Sequence, residues 1–355
     1  MADRLRVAMV APPPGRCGVG DYAELLLREL RRRIDIVAVA APERWDDALN
    51  AADLVHLQHE YFLFGGVAPW RVRTASLFRR IRVPIVITAH EFVRPAGPPL
   101  RRAAIRISNR LHFGSSKVRR ILVHTEADRL AMAQSLSRRT PVAVVRHPVF
   151  DPPALPSRDE ARRALGVEGR VVVTLLGFLA RRKGHRLALD ALAHCPPEFL
   201  LLIAGGKHPN DRTSYVEQLL QDARPYVSTH RARITGYLDE EALLRALAAT
   251  DVVVAPFEAS SGSGSLARAL SCGLPIVASD IEPHREIVAL AEHALGLFRS
   301  GDALDLARVL EEVAHDPARR AALAEGARAY AVDHSMARFA ERTIQEYRAA
   351  LVEVG

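Results

Sequence analysis

Apolar runs of three to seven residues alternate with helical patterns along this chain, and the alternation happens twice. In the first half, strand-like runs fall at Leu5–Ala11, Ile34–Ala40, Leu54–Gln58, Pro84–Thr88, Ile121–His124 and Val142–Arg146. Helical spacing separates them at Asp21–Arg32, Trp70–Arg80, Leu100–Phe113 and Glu126–Leu136. Such runs without polar alternation are strands covered on both faces, so the pattern predicts parallel βαβ units. A proline-rich piece, His147–Pro156, interrupts it and reads as a linker. The pattern then restarts, with strands at Val171–Leu176, Phe199–Ala204, Ile234–Gly236, Val252–Ala255 and Ile276–Ala278. Helices are expected at His185–Ala193, Tyr215–Ala223, Glu240–Ala248 and Leu266–Leu270, followed by a mostly helical tail from Asp302 to Val354. The expected architecture is α/β, with two doubly wound Rossmann-like domains facing across a cleft. Their bounds are 1–150 and 151–335, and a last helix over 336–355 packs back toward the first domain.

The segment from Pro256 to Asp280 carries the strongest chemical signal. The strand ending at Ala255 is followed by Ser261, Gly262, Ser263, Gly264 and Ser265, and then by a helix start. A small-residue turn feeding a helix presents unpaired N–H groups at the positive end of the helix dipole, which suits a phosphate. A flexible Gly/Ser linker is the alternative, though linkers are not normally wedged between a buried strand and a helix.

Charge is unevenly spread. Residues 1–150 carry 25 Arg and Lys against 13 Asp and Glu, whereas the remainder carries 24 against 28. The basic half points to an anionic partner such as a membrane surface, a lipid phosphate or another acidic molecule. Nucleic acid is not expected, because no recognition motif or aromatic-interleaved basic stripe accompanies the charge. Only three lysines occur, and Lys183 stands before Gly184 at a strand-to-helix transition, where a compact ammonium can approach a phosphate. Three unevenly spaced cysteines argue against a disulfide framework or zinc site and favour the cytoplasm. No apolar run reaches the ~18–20 residues a bilayer span needs.

In order, GVGDYAELL, VVITAHE, LLGFLARRKGHRLALDAL and ITGYLDEEALLRALAATDVVVAPFEASSGSGSLARALSCGLPIVASD resemble the GT-B retaining glycosyltransferases of family 4. The resemblance covers essentially the whole chain and is strongest from Val171 to Glu286. It implies a metal-independent hexosyltransferase that uses a nucleotide-diphosphate sugar and an acceptor hydroxyl and needs no cofactor. The implied donor residues are Lys183 and Arg182 on the diphosphate, the Ser261–Ser265 backbone, Tyr237 beside the base, and Gly18 and Gly20 after the first strand. His90 matches a histidine near the reacting sugar, and Lys183 and His90 are the implied catalytic pair. Glu60 and Glu91, at neighbouring strand ends, would shape the acceptor pocket. The acceptor is expected to be lipid-linked or anionic, met by a cytoplasmic enzyme that can be peripheral at the inner membrane face. No role follows for His56, His124 or His147.

The chain departs from the family where two glutamates usually stand. Ser260 occupies the first position and Arg268 the second, and a donor-only guanidinium cannot accept ribose hydroxyl hydrogens. Arg268 is therefore expected either to add positive charge to the donor pocket, or to turn outward or pair with a nearby carboxylate such as Glu282 or Glu286. These substitutions keep two rivals open: a non-catalytic GT-B binding protein, and a GT-B epimerase or phosphorylase.

Overall fold

A computed structural model describes residues 4–15, 17–43, 47–136, 140–207 and 213–352. Strands and helices alternate in the order β1 (Arg6–Val10), α1 (Gly18–Arg31), β2 (Asp35–Ala40), β3 (Leu54–His59), α2 (Thr74–Arg80), β4 (Ile85–Ala89), α3 (Pro99–Phe113), β5 (Val118–Val123), α4 (Glu126–Ser135) and β6 (Val142–Val144). The series continues with α5 (Arg158–Leu165), β7 (Val171–Leu176), α6 (His185–His194), β8 (Phe199–Ala204), α7 (Tyr215–Ser228), β9 (Ala232–Ile234), α8 (Glu240–Ala249), β10 (Val252–Ala255), α9 (Gly264–Ser271), β11 (Ile276–Ser279), α10 (Glu282–Leu290) and β12 (Gly296–Phe298). Helices α11 (Ala303–His315), α12 (Pro317–Asp333) and α13 (Met336–Val352) close the chain.

The chain divides into two compact units, one made of residues 1–148 and 336–355 and the other of residues 149–335. Each holds a six-stranded, all-parallel sheet, so both are Rossmann-like. The first sheet runs β2-β1-β3-β4-β5-β6 and reverses direction between β1 and β3. The second runs β12-β11-β10-β7-β8-β9 and reverses between β7 and β10. Connections on either side of a reversal leave toward opposite faces, which opens a crevice at the strand carboxyl ends.

Alternate side chains of each strand fill opposite faces, as the continuous apolar runs require. In β1, Ala8 and Val10 join a core with Val55, Leu57 and Ile87, while Val7 and Met9 face Leu26 and Leu30 of α1. That second face is completed by α13, whose Phe339, Ala340 and Tyr347 are buried there. The first unit therefore needs the far end of the chain to cover its sheet.

Some elements differ from expectation. β9 occupies 232–234 rather than 234–236, because its register with Leu201–Ile203 sets the pairing and Gly236 sits at φ +72°, outside the strand region. α7 continues past Ala223 through Pro225. The proline lies on an exposed edge of the last turn, where a lost N–H leaves the Gln221 carbonyl to water. Helix α2 starts only at Thr74, since Pro69–Arg71 forms a separate 3₁₀ turn. β12 and helices α5 and α10 were not anticipated; Gly296 at the head of a three-residue strand conceals the first. The described helical tail ends at Val352, and residues 353–355 lie outside the described residues. Among the described residues no helix is long and apolar enough to cross a membrane.

Candidate active site

The reversal point of the second unit is built by backbones that touch. After β7, Gly177 turns at φ +106° and its N–H donates to the Ala204 carbonyl. A Cβ on Gly205 would lie 1.9 Å from the Gly177 oxygen, and one on Gly184 only 1.8 Å from the Pro256 oxygen. Gly184 is also at φ +69°, where it ends the 3₁₀ turn Arg181–Lys183 and starts α6. These contacts pull the Lys183 turn against the β10 exit. The loop after β10 then enters α9, which begins two residues earlier than expected. Ser263 is its N-cap, accepting from the Leu266 amide at 3.3 Å, and Gly264 and Ser265 form the first turn. Their amides precede any intrahelical acceptor.

Lys183 joins these pieces. Its ammonium donates to Ser263 Oγ at 3.0 Å and Ser265 Oγ at 2.7 Å and sits 4.0 Å from the Phe257 ring centroid. No carboxylate pairs with it among the described residues. Burial, reinforced by the neighbouring Arg182 guanidinium, pushes its pKa down to about 7. His185 and His284 lie close by. Burial, with a smaller contribution from the Lys183 charge, pushes both down to about 4, so both are neutral at pH 7. A half-buried cation beside a helix N-terminus, met only by two hydroxyls and an aromatic face, is electrostatically incomplete; an anion completes it. Phe257, Gly177, Gly205 and Gly206 belong to this site, although no sequence argument singled them out. A hint was present: each glycine follows a strand.

In the first unit, the expected residues also collect at strand carboxyl ends. Gly18 and Gly20 lie within the first turn of α1 rather than ahead of it. Gly20 is required by packing, since a Cβ there would stand 2.4 Å from the Pro13 oxygen. Glu60 follows β3 and caps the 3₁₀ turn Tyr61–Phe64 by accepting from the Tyr61 amide at 3.2 Å. His90 and Glu91 follow β4, and both are partly buried. His90 Nε2 meets Gln58 Oε1 at 2.8 Å, so the acceptor oxygen keeps the proton on Nε2. Burial, then the surrounding histidines, hold His90 well below its ordinary pKa, and it is neutral. Behind it, His56 is pinned between Tyr347 Oη at 2.6 Å and Thr88 Oγ1 at 2.8 Å, while Tyr22 meets the His90 ring edge-on. Tyr347 comes from α13, which is why local sequence concealed this network.

Residues 157–330 match the family described as glycosyl transferases group 1. The 2-deoxystreptamine N-acetyl-D-glucosaminyltransferase of Streptomyces fradiae is 27% identical over 317 residues, covering 84% of this chain and 71% of its own. A D-inositol 3-phosphate glycosyltransferase of Rhodococcus opacus (strain B4) is 25% identical over 327 residues, covering 86% and 70%. In fold, Anabaena Alr3699/HepE in complex with UDP and glucose superimposes with a TM-score of 0.77 at 20% identity, over 97% of this chain and 99% of its own. The chain has the GT-B fold, and its residues 157–330 form a group 1 glycosyl transferase region. Sucrose-phosphate synthase from Thermosynechococcus elongatus shares the transferase's fold, with a TM-score of 0.77 at 18% identity over 99% of this chain and 100% of its own.

The transferase engages Arg268 differently from either expected carboxylate pairing. The guanidinium lies 3.3 Å from Glu240 and 5.1 Å above the Phe150 ring, rather than meeting Glu282 or Glu286. Arg181, Arg182 and Tyr237 are exposed, and the Tyr237 amide lies where a Cβ on Gly206 would intrude at 2.9 Å. Among the described residues no group of three His, Cys, Asp or Glu side chains could hold a metal ion.

Replacing Gln58 with leucine is expected to strand the buried His90 N–H, costing about 1–3 kcal/mol. Turnover should fall more than donor affinity. Denaturant unfolding and steady-state kinetics check both, and full turnover in Gln58→Leu would detach the His90 network from the reaction.

Proposed function

We propose that the transferase moves a hexosyl group from a nucleotide-diphosphate sugar to an acceptor hydroxyl, with retention and without a divalent metal. The observation that carries this reading is the uncompensated Lys183 ammonium between Ser263 and Ser265 at the α9 N-terminus. Negative charge develops on the leaving diphosphate as the sugar–oxygen bond breaks, and fixed cations and amides there stabilise it most. Lys183, with Arg182 and the Ser261–Ser265 backbone, fills that role. The acceptor oxygen bonds to the anomeric carbon on the face that the phosphate leaves, and its proton passes to the departing phosphate oxygen. No carboxylate base is needed, which accommodates Ser260. Arg268 of α9, paired with Glu240 of α8, has its charge largely balanced there and leaves the ribose to other groups.

Neutral His90 would contact the transferred sugar, with Gly18 and Gly20 bringing the α1 backbone near it. Glu60 and Glu91 would line the acceptor side. The Anabaena structures holding UDP and UDP-glucose support a uridine nucleotide. The relatives named for D-inositol 3-phosphate support an anionic polyol acceptor. A cytoplasmic enzyme acting at the inner membrane face is consistent with the basic half of the chain.

The test is nucleotide release from a panel of UDP-, GDP- and ADP-sugars, with and without EDTA, followed by NMR of the product's anomeric proton. One donor should dominate, EDTA should change nothing, and the configuration should be retained. Inversion, or loss of transfer in EDTA, would overturn the corresponding part.

A further inference from the structure

The charge of the basic half is concentrated. Residues 61–120 contain thirteen Arg and Lys and one acidic residue, Glu91. Helix α3 lies within this segment and has a buried face and, opposite it, an exposed apolar stripe. Ile105, Ser108, Asn109, His112 and Phe113 face the unit interior, as one side of any packed helix must. The opposite side carries Leu100, Ala103 and Ile107, spaced three and four residues apart and all exposed. Leu100 is 87% exposed and Ile107 54%, although burial of either side chain is worth about 2 kcal/mol or so. Arg102, Arg106 and Arg110, spaced four apart, run beside this stripe and are exposed, and no described carboxylate pairs with them. Against α3 packs the 3₁₀ turn Pro69–Arg71, which presents Trp70 at 84% exposure.

A nucleic acid would use the arginines and leave Leu100 and Ile107 in water. A protein groove would take the apolar stripe and has no use for so many unpaired cations. An anionic bilayer takes both: the aliphatic side chains enter the acyl boundary, the indole sits at the headgroup level, and the guanidinium groups meet lipid phosphates. We propose that the outer face of α3 together with Trp70 is a peripheral docking surface for an anionic lipid membrane. It rests on the proposed function for the lipid-linked or headgroup acceptor it would deliver, though not for the binding itself.

The experiment uses the full chain, because α13 completes the core of this unit. Sedimentation with phosphatidylcholine vesicles, and with vesicles containing 30% phosphatidylglycerol, should show binding only to the latter, weakening as salt rises. With Trp45→Phe in place, Trp70 emission should shift to the blue on binding. Each arginine near an anionic surface contributes about fivefold in affinity, so Arg102→Gln/Arg106→Gln/Arg110→Gln should lose roughly a hundredfold. Leu100→Ser/Ile107→Ser should lose binding even at low salt, where the arginines attract the surface most strongly. Nucleotide release with a water-soluble acceptor should be unchanged in both variants, which separates failure of the surface from failure of the transfer reading. Equal binding to neutral and anionic vesicles, no effect of the Leu100/Ile107 pair, or an unshifted Trp70 spectrum would overturn the proposal. Tight binding of RNA that survives Leu100→Ser/Ile107→Ser would overturn it in favour of a polyanion site.

Discussion

Lys183→Met is expected to cripple transfer and, at the same time, make the unliganded protein harder to unfold. The ammonium donates to Ser263 and Ser265 and has no carboxylate partner among the described residues. Losing one charge-assisted contact to a diphosphate removes about 1.5–3 kcal/mol, or roughly ten- to a hundredfold in kcat/KM. Stability moves the other way. The folded pKa of about 7 lies below the free-lysine value, so between about pH 7 and 10.5 the unfolded chain binds a proton that the native chain does not. Native stability therefore rises with pH through that window, and the full penalty for holding the charge applies below about pH 7. Methionine removes the penalty, while Ser263 and Ser265 still bond to each other at 3.0 Å. A gain of about 1 kcal/mol, or roughly 2–4 °C in the unfolding midpoint, is expected. The same titration acts on the donor: nucleotide affinity should weaken about tenfold per pH unit above about 7, and Lys183→Met should flatten that dependence. Calorimetric titration at pH 6 to 9 and thermal melts check these outcomes. A destabilised Lys183→Met with unaltered nucleotide affinity would make the lysine a packing residue.

Gly184→Ala should be the most damaging single methyl group in the second unit. Its Cβ would stand 1.8 Å from the Pro256 carbonyl oxygen, so backbone must move, and its φ of +69° adds about 1 kcal/mol for any L side chain. A loss of about 3–5 kcal/mol is expected, lowering the unfolding midpoint by on the order of 10 °C. Gly166→Ala is the control: it too is left-handed, at φ +62°, but nothing lies within 4 Å of its Cβ. Its cost should stay near 1 kcal/mol. Because Gly184 follows Lys183 directly, nucleotide binding should fail in Gly184→Ala and persist in Gly166→Ala. Equal melting points for the two variants would show that the Pro256 approach is not needed.

Much of this was legible in the residues themselves. Apolar runs without polar alternation can only be strands buried on both faces, and helical spacing between them leaves parallel crossovers as the connection. Small residues between Pro256 and Leu266, and a lone lysine before Gly184, marked where an anion would be held. Helix ends were legible where a side chain caps the backbone, as Thr125 and Asp239 do through the Asp128 and Ala242 amides. Short elements were not. β12 has three residues, and only its pairing with Val277–Ser279 makes it a strand.

Local pattern is set by interactions a few residues apart, whereas the site is made of contacts spanning much longer separations. Lys183 meets Ser263 and Ser265 because β7 and β10 are neighbours in the sheet, and strand order is a property of the whole core. The same long-range closure brings Gly205 against Gly177 and seats Tyr347 beside His56, fixing His90 through Gln58. It also turned Arg268 toward Glu240 of α8 rather than the carboxylates nearer in sequence, since α8 and α9 pack into the same core cluster. The sequence by itself determined two parallel sheets, a phosphate-type loop and a basic first half. Tertiary structure alone decided which side chains share a pocket and which cation is left without a counter-charge, because burial and sheet order, not spacing, set those distances.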